Sequence, residues 1–204
     1  MSTPRDLMIV ALDVEPSRPV ERGDLSLALA GAEVIDLLEA EALALDGDRL
    51  VPRLQPALAD HLLDEAASLL VRQQPYESLE DWLWRRGRGL SSAYLVALEE
   101  DGQVTWQRSR WAPFGGGRTV LADSDARRRS AGRWASDEPV LSALAAAVGI
   151  REQAYGAETG VTVTEEPVLT VLAAVHDAVM ELEAVRQRRA IEDAAFDNVW
   201  RGGG

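Results

Sequence analysis

Two short stretches bring together residues able to bind phosphate. "WLWRRGRG" carries Arg85, Arg86 and Arg88, and "QRSRWAPFGGGRT" sets Arg108, Arg110 and Arg118 around Trp111 and Phe114. A guanidinium offers a planar fork of donors that matches two phosphate oxygens at once. Trp and Phe suit the interfacial zone of a membrane, and equally a protein contact. Arginines spaced this closely beside aromatics point to docking on an anionic surface.

Other chemistries find no support. "GGGR" is no phosphate loop, because the lysine and the strand-then-helix context are missing. His61 and His176 each sit in an amphipathic helical pattern, with no Ser–His–acid order to use them. The pairs Asp36/Glu39 and Glu165/Glu166 have the spacing of a solvated surface rather than of a general acid and base. Cysteine is absent, which excludes disulfides and thiolate metal sites. No catalytic constellation emerges, so the expectation is a binding or scaffold protein, not an enzyme, with no cofactor and no metal.

Charge sharpens this. The chain of 204 residues carries a net charge of −13, and every one of its 21 basic residues is Arg. Such acidity argues against nucleic acid as a partner. Residues 85–133 depart from the trend: ten arginines face five acids, an excess of +5 that leaves −18 for the rest. A basic island on an acidic body fits one-sided docking, though local pairing of those arginines with nearby acids fits as well. Arg-only usage with abundant Ala points to a GC-rich genome of actinobacterial type. No apolar run reaches the length of a membrane span, and the first residues do not read as a secretory leader, so a cytoplasmic location is expected.

The elements that would position these residues are mostly helical. "PRDLMIVAL" predicts a short apolar helix with Pro at its start. "DLSLALAGAEVIDLLEAEALAL" predicts a central helix with Asp24 as N-cap and a broad apolar face through Leu27, Gly31, Val34, Ile35 and Leu38. Asp46-Gly47 predicts a hairpin turn. Pro56 opens a helix to about Gln73, and Ser78 with Asp81 resembles a capping box for "LEDWLWRR". A further helix leads into a β-hairpin at about 103–122. The helix-then-hairpin order thus occurs twice, at 24–54 and 90–122. It suggests a winged helix, but helix 24–45 is acidic where a recognition helix would be basic. "DARRRSAGRWASDE" reads as a connector, and helices from Pro139 and around Val168–Leu182 finish the body. The tail stays partly helical, with Ile191, Phe196 and Trp200 available to dock.

This order of parts resembles the Golgi phosphoprotein 3 family over roughly residues 4–185. The carriers are "PRDLMIVALD", "LALAGAEVIDLLEAEAL" with its central Gly, "DGDRLV", "SLEDWL" and "LEEDGQV" before the hairpin. The resemblance implies a mainly α, compact helical domain (1–185) with a protruding β-hairpin, followed by a helical to flexible tail (186–204). It implies a peripheral membrane adaptor, here a short bacterial member on the inner face of the membrane, that binds phosphatidylinositol 4-phosphate and recruits protein clients. Of the family's headgroup residues, the Trp position falls near Glu21 and an Arg position on Ala30. A later Arg pair falls on Arg88 and Ser91. Arg22, Arg85 and Arg86 lie close enough to substitute, so Arg88, Arg85, Arg86 and Arg22 are the expected lipid-binding residues. Trp111 and Phe114, flanked by Arg108, Arg110 and Arg118, are the expected membrane or homo-oligomer contact, with packing on the protein's own body as a third reading. The alternative function is a soluble interaction module that self-associates through the hairpin.

Overall fold

The computed structural model describes residues 2–16, 19–54, 58–107, 118–150 and 165–201. The fold is mainly α, as the sequence predicts, with two small antiparallel hairpins. Its centre is α2 (Arg22–Glu39), whose residues from Asp24 to Leu37 are all buried. A helix with so few polar positions has no solvent face to offer, so it must be surrounded. Around it pack α1 (Thr3–Asp13), α4 (Leu79–Arg86), α5 (Leu90–Glu100), α7 (Pro139–Ala147) and α8 (Glu166–Arg201). One core runs from Leu7 to Val179.

The Gly at the middle of α2 has a steric reason. A Cβ on Gly31 would lie 2.2 Å from Val175 Cγ2 of α8, inside van der Waals contact. The missing side chain is what lets the two helices cross so closely.

Both helix-then-hairpin units exist, and they share a stop signal. At the end of α2, the Glu41 and Ala42 amides donate to Leu38 and Leu37 carbonyls at 3.0 and 2.9 Å. At the end of α5, the Gly102 and Gln103 amides donate to Glu99 and Leu98 carbonyls at 3.0 and 2.8 Å. This paired closure needs a left-handed residue after the cap. Gly102 supplies it at φ 67°, and Glu41 does so at φ 54° with a side chain attached. Each helix then enters a hairpin: β1 (Leu43–Asp46) with β2 (Arg49–Pro52), and β3 (Val104–Gln107) with β4 (Arg118–Leu121). The second hairpin's tip, with Arg108, Arg110, Trp111 and Phe114, lies outside the described residues.

Several boundaries differ from the sequence reading. α2 begins at Arg22, so Asp24 falls inside its first turn and does not cap it. The helix expected from Pro56 to Gln73 is confined to α3 (His61–Ser68), because Asp60 caps it by accepting from the Leu62 amide. Leu69 therefore lies beyond the helix and is exposed. The supposed connector forms α6 (Asp125–Ala135), started by Ser124, whose hydroxyl accepts from the Arg127 amide. Ile191, read as available to dock, is 69% exposed on α8.

α2 and α5 run in the same direction. Their starts meet where the Ser91 amide donates to Ser26 Oγ at 3.0 Å. Their ends both reach the first turn of α1: Thr3 N–H donates to Asp36 at 2.8 Å, and Arg5 pairs with Asp101.

Candidate functional site

The four arginines expected to hold a headgroup fall into two groups. α4 starts cleanly: Ser78 Oγ accepts from the Asp81 amide at 3.1 Å and bonds the Asp81 carboxylate at 2.6 Å. That phase buries Trp82, whose indole N–H points at the Ala30 carbonyl of α2, 3.4 Å away. Three residues on, Arg85 lies over the same ring, 5.0 Å from its centroid, and grips Glu77 with two bonds of 2.6 and 2.7 Å.

Arg86 takes the inward position. Its guanidinium bonds both oxygens of Glu33, at 2.8 and 2.9 Å, and donates to the Leu62 carbonyl at 3.2 Å. Glu33 is fully buried in α2, and the Tyr94 hydroxyl of α5 donates to it at 3.0 Å. Burial pushes the Glu33 carboxyl above its usual range, and the Arg86 fork and Tyr94 hydroxyl offset that. The pair joins α2, α4 and α5 inside the molecule, which leaves Arg86 no fork for an external phosphate.

Arg88 and Arg22 are exposed and come from neighbouring chain segments. Arg88 sits in the α4–α5 turn. The preceding Gly87 presses so close to α2 that a Cβ there would stand 3.3 Å from Leu27 Cδ2 and 3.5 Å from the Ser26 carbonyl. Arg22 begins α2, and its carbonyl accepts from the Ser26 and Ser91 hydroxyls at 2.8 and 3.3 Å. Two exposed guanidinium side chains therefore leave the joined starts of α2 and α5. That end also carries the partial positive charge of two parallel helices. Glu21 gives α2 no side-chain cap.

A third arginine reaches this end from the other side of the sequence. Arg186 of α8 donates through Nη2 to both Asp24 oxygens, at 2.7 and 2.8 Å, and to Glu183 at 2.9 Å. A Cβ on Gly23 would be 2.8 Å from Leu182 Cδ2 and 3.9 Å from Arg186 Nη1. Sequence reasoning missed this residue because 162 positions separate it from Asp24.

The basic island of the sequence is not one free face. Arg127 pairs with Asp13, Arg128 with Asp123 and Asp125, and Arg133 with Asp6 and Glu138. Arg118 opens β4 opposite Gln107, and Arg108 and Arg110 are outside the described residues.

The far ends of α2 and α5 are acidic. A cavity of about 680 Å³ opens there, lined by Ser2, Thr3, Asp6, Asp36, Asp60 and Arg133 among others. Its buried and half-buried carboxylates are answered from within. Asp6 holds Ser130 and Arg133, and Asp60 holds Ser2, Arg5 and the Leu62 amide. Burial works against the Asp60 carboxylate, yet those donors keep its pKa below the usual value. Asp36 has a backbone amide instead of a cation, and burial pushes its carboxyl up to about 6.

No helix among the described residues is long and apolar enough to cross a membrane, and no cluster there could hold a metal ion. Among known proteins, the family described as Golgi phosphoprotein 3 (GPP34) matches residues 4–193. No curated protein matches the chain.

Proposed function

The chain belongs to the Golgi phosphoprotein 3 family, a family of non-enzymatic adaptors, and from that premise we propose a peripheral adaptor that docks on anionic lipid. The docking end is the joined start of α2 and α5. The observation that carries the proposal is the exposure of Arg22 and Arg88 on segments fastened together by Ser26 and Ser91. Both sit at helix N-termini, where phosphate is favoured by backbone N–H groups and the helix dipole. The acidic far ends add a sense of direction, since an anionic leaflet attracts one end and repels the other.

Within this reading Arg85, half-exposed and tied to Glu77, is an auxiliary contact. Arg86 serves the fold. The headgroup is a phosphoinositide, with phosphatidylinositol 4-phosphate suggested by the family. Trp111 and Phe114, with Arg108, Arg110 and Arg118, form a second contact through the hairpin tip. The protein works on the cytoplasmic face of a membrane and presents a client there, without catalysing a reaction.

Flotation with liposomes tests this. Phosphatidylcholine vesicles are compared with vesicles that also carry phosphatidylserine or phosphatidylinositol 4-phosphate, over a salt series. Binding should require the anionic lipid, weaken with salt, and be largely lost in the Arg22→Gln/Arg88→Gln double variant. No association with either anionic vesicle at low salt overturns the proposal.

A further inference from the structure

We propose that Arg186 is a reserve phosphate ligand of this same end, held back by Asp24 and Glu183, so that these two carboxylates set the affinity for lipid. The inference rests on the lipid-docking reading above and adds a means of regulating it.

The geometry has three parts. First, the Arg186 fork is anchored on one edge: Nη2 and Nε bond Asp24 and Glu183, at 2.7 to 3.1 Å. Second, Nη1 takes part in none of those bonds, and it stands 3.9 Å from the Cβ direction of Gly23, between Arg22 and Asp24. Its protons thus lie beside the first turn of α2. Third, the Arg186 side chain remains 30% exposed, while Asp24 is 5% exposed and cannot turn away to water.

Competition follows from the charges. A phosphate monoester carries more negative charge than a carboxylate and offers three acceptor oxygens. Brought to Arg22 and Arg88, it competes with Asp24 and Glu183 for the Arg186 fork. In the free protein the two carboxylates cancel Arg186 and weaken the positive potential of this end. Neutralising either one leaves Arg186 answered by a single carboxylate and raises the positive potential that the lipid meets. Because Arg186 belongs to α8, phosphate at this end also acts on the C-terminal helix that continues to Arg201.

The test is a set of conservative amides in the full chain, read by flotation on phosphatidylcholine vesicles carrying phosphatidylinositol 4-phosphate. Inorganic phosphate is added as competitor, to separate recognition of the phosphate group from attraction to a charged surface. Glu183→Gln and Asp24→Asn should each tighten binding about fivefold, as expected for one extra cation near an anionic leaflet. Glu181→Gln makes the same change of net charge on α8, away from these contacts, and should gain far less. Arg186→Gln should weaken binding and erase the gain from Glu183→Gln in the double variant. Glu183 is half-exposed and lies outside the buried core, so that variant folds even if Asp24→Asn proves unstable.

If Glu183→Gln and Asp24→Asn bind like the parent while Arg22→Gln/Arg88→Gln abolishes binding, the reserve-ligand inference is wrong and the docking site stands. Equal gains from Glu181→Gln and Glu183→Gln reduce the effect to net charge and overturn it as well. If neither parent nor variants bind anionic vesicles, the docking reading itself falls.

Discussion

Arg86 and Glu33, 53 residues apart, form a two-bonded ion pair whose carboxylate is sealed from solvent. An arginine that looks in sequence like a neighbour of Arg85 and Arg88 is an internal fastener. Two charges taken from water this way are tolerable only together, since either one left alone keeps its desolvation cost.

Replacing Arg86 by Ala should therefore cost about 3–5 kcal/mol of stability. Arg88→Ala should stay within about 0.5 kcal/mol of the parent, as exposed positions do. Urea denaturation of the two variants checks the contrast. Comparable, small losses would mean that the Arg86–Glu33 pair does not hold the core.

Gly31 has no room for a methyl group against Val175. Gly31→Ala should destabilise by roughly 1–3 kcal/mol, the usual cost of overpacking, despite the better helix propensity of Ala. Thermal unfolding reads this directly. Combining it with Val175→Ala should recover part of the loss, because that change removes the opposing methyl.

Asp36 makes stability depend on pH in an uncommon direction. Its carboxyl has a folded pKa of about 6 against an ordinary 3.8, so the folded chain keeps a proton that the unfolded chain releases. Its contribution is fully present below the lower value and is lost as pH rises through the higher one. Asp36→Asn cannot titrate, and its amide oxygen still accepts from Thr3 N–H. The variant should gain on the parent by on the order of 2 kcal/mol between pH 4 and pH 7. A stability difference that is constant across that range would contradict the assignment.

Glu41 and Asp137 hold left-handed conformations, at φ 54° and 52°, in helix closures that Gly102 and Gly149 make without a side chain. Glu41→Gly and Asp137→Gly should each stabilise the protein, by up to about 1 kcal/mol. Chemical denaturation gives the sign. A loss in both would show that side-chain contacts outweigh backbone strain there.

What the sequence determined by itself is local in origin. Apolar spacing and absent polar positions marked α2 as the centre. Ser78 and Asp46-Gly47 marked a cap and a turn, because each acts on backbone within a few residues. The order of these parts was enough to place the chain in its family. The sequence did not mark α6, since a helix of arginines with little apolar face gives almost no periodic signal. The start of α3 was misplaced because Pro56 and Asp60 both suit a helix start. What only tertiary structure decided is the state of each arginine. Arg85, Arg86 and Arg88 are close in sequence, yet the helical turn points one at Glu77, one at buried Glu33 and one at solvent. Arg186 meets Asp24 only because α8 folds back across Gly31 and Gly23. Charge is a property of a residue, but its availability depends on partners that the fold brings from far along the chain.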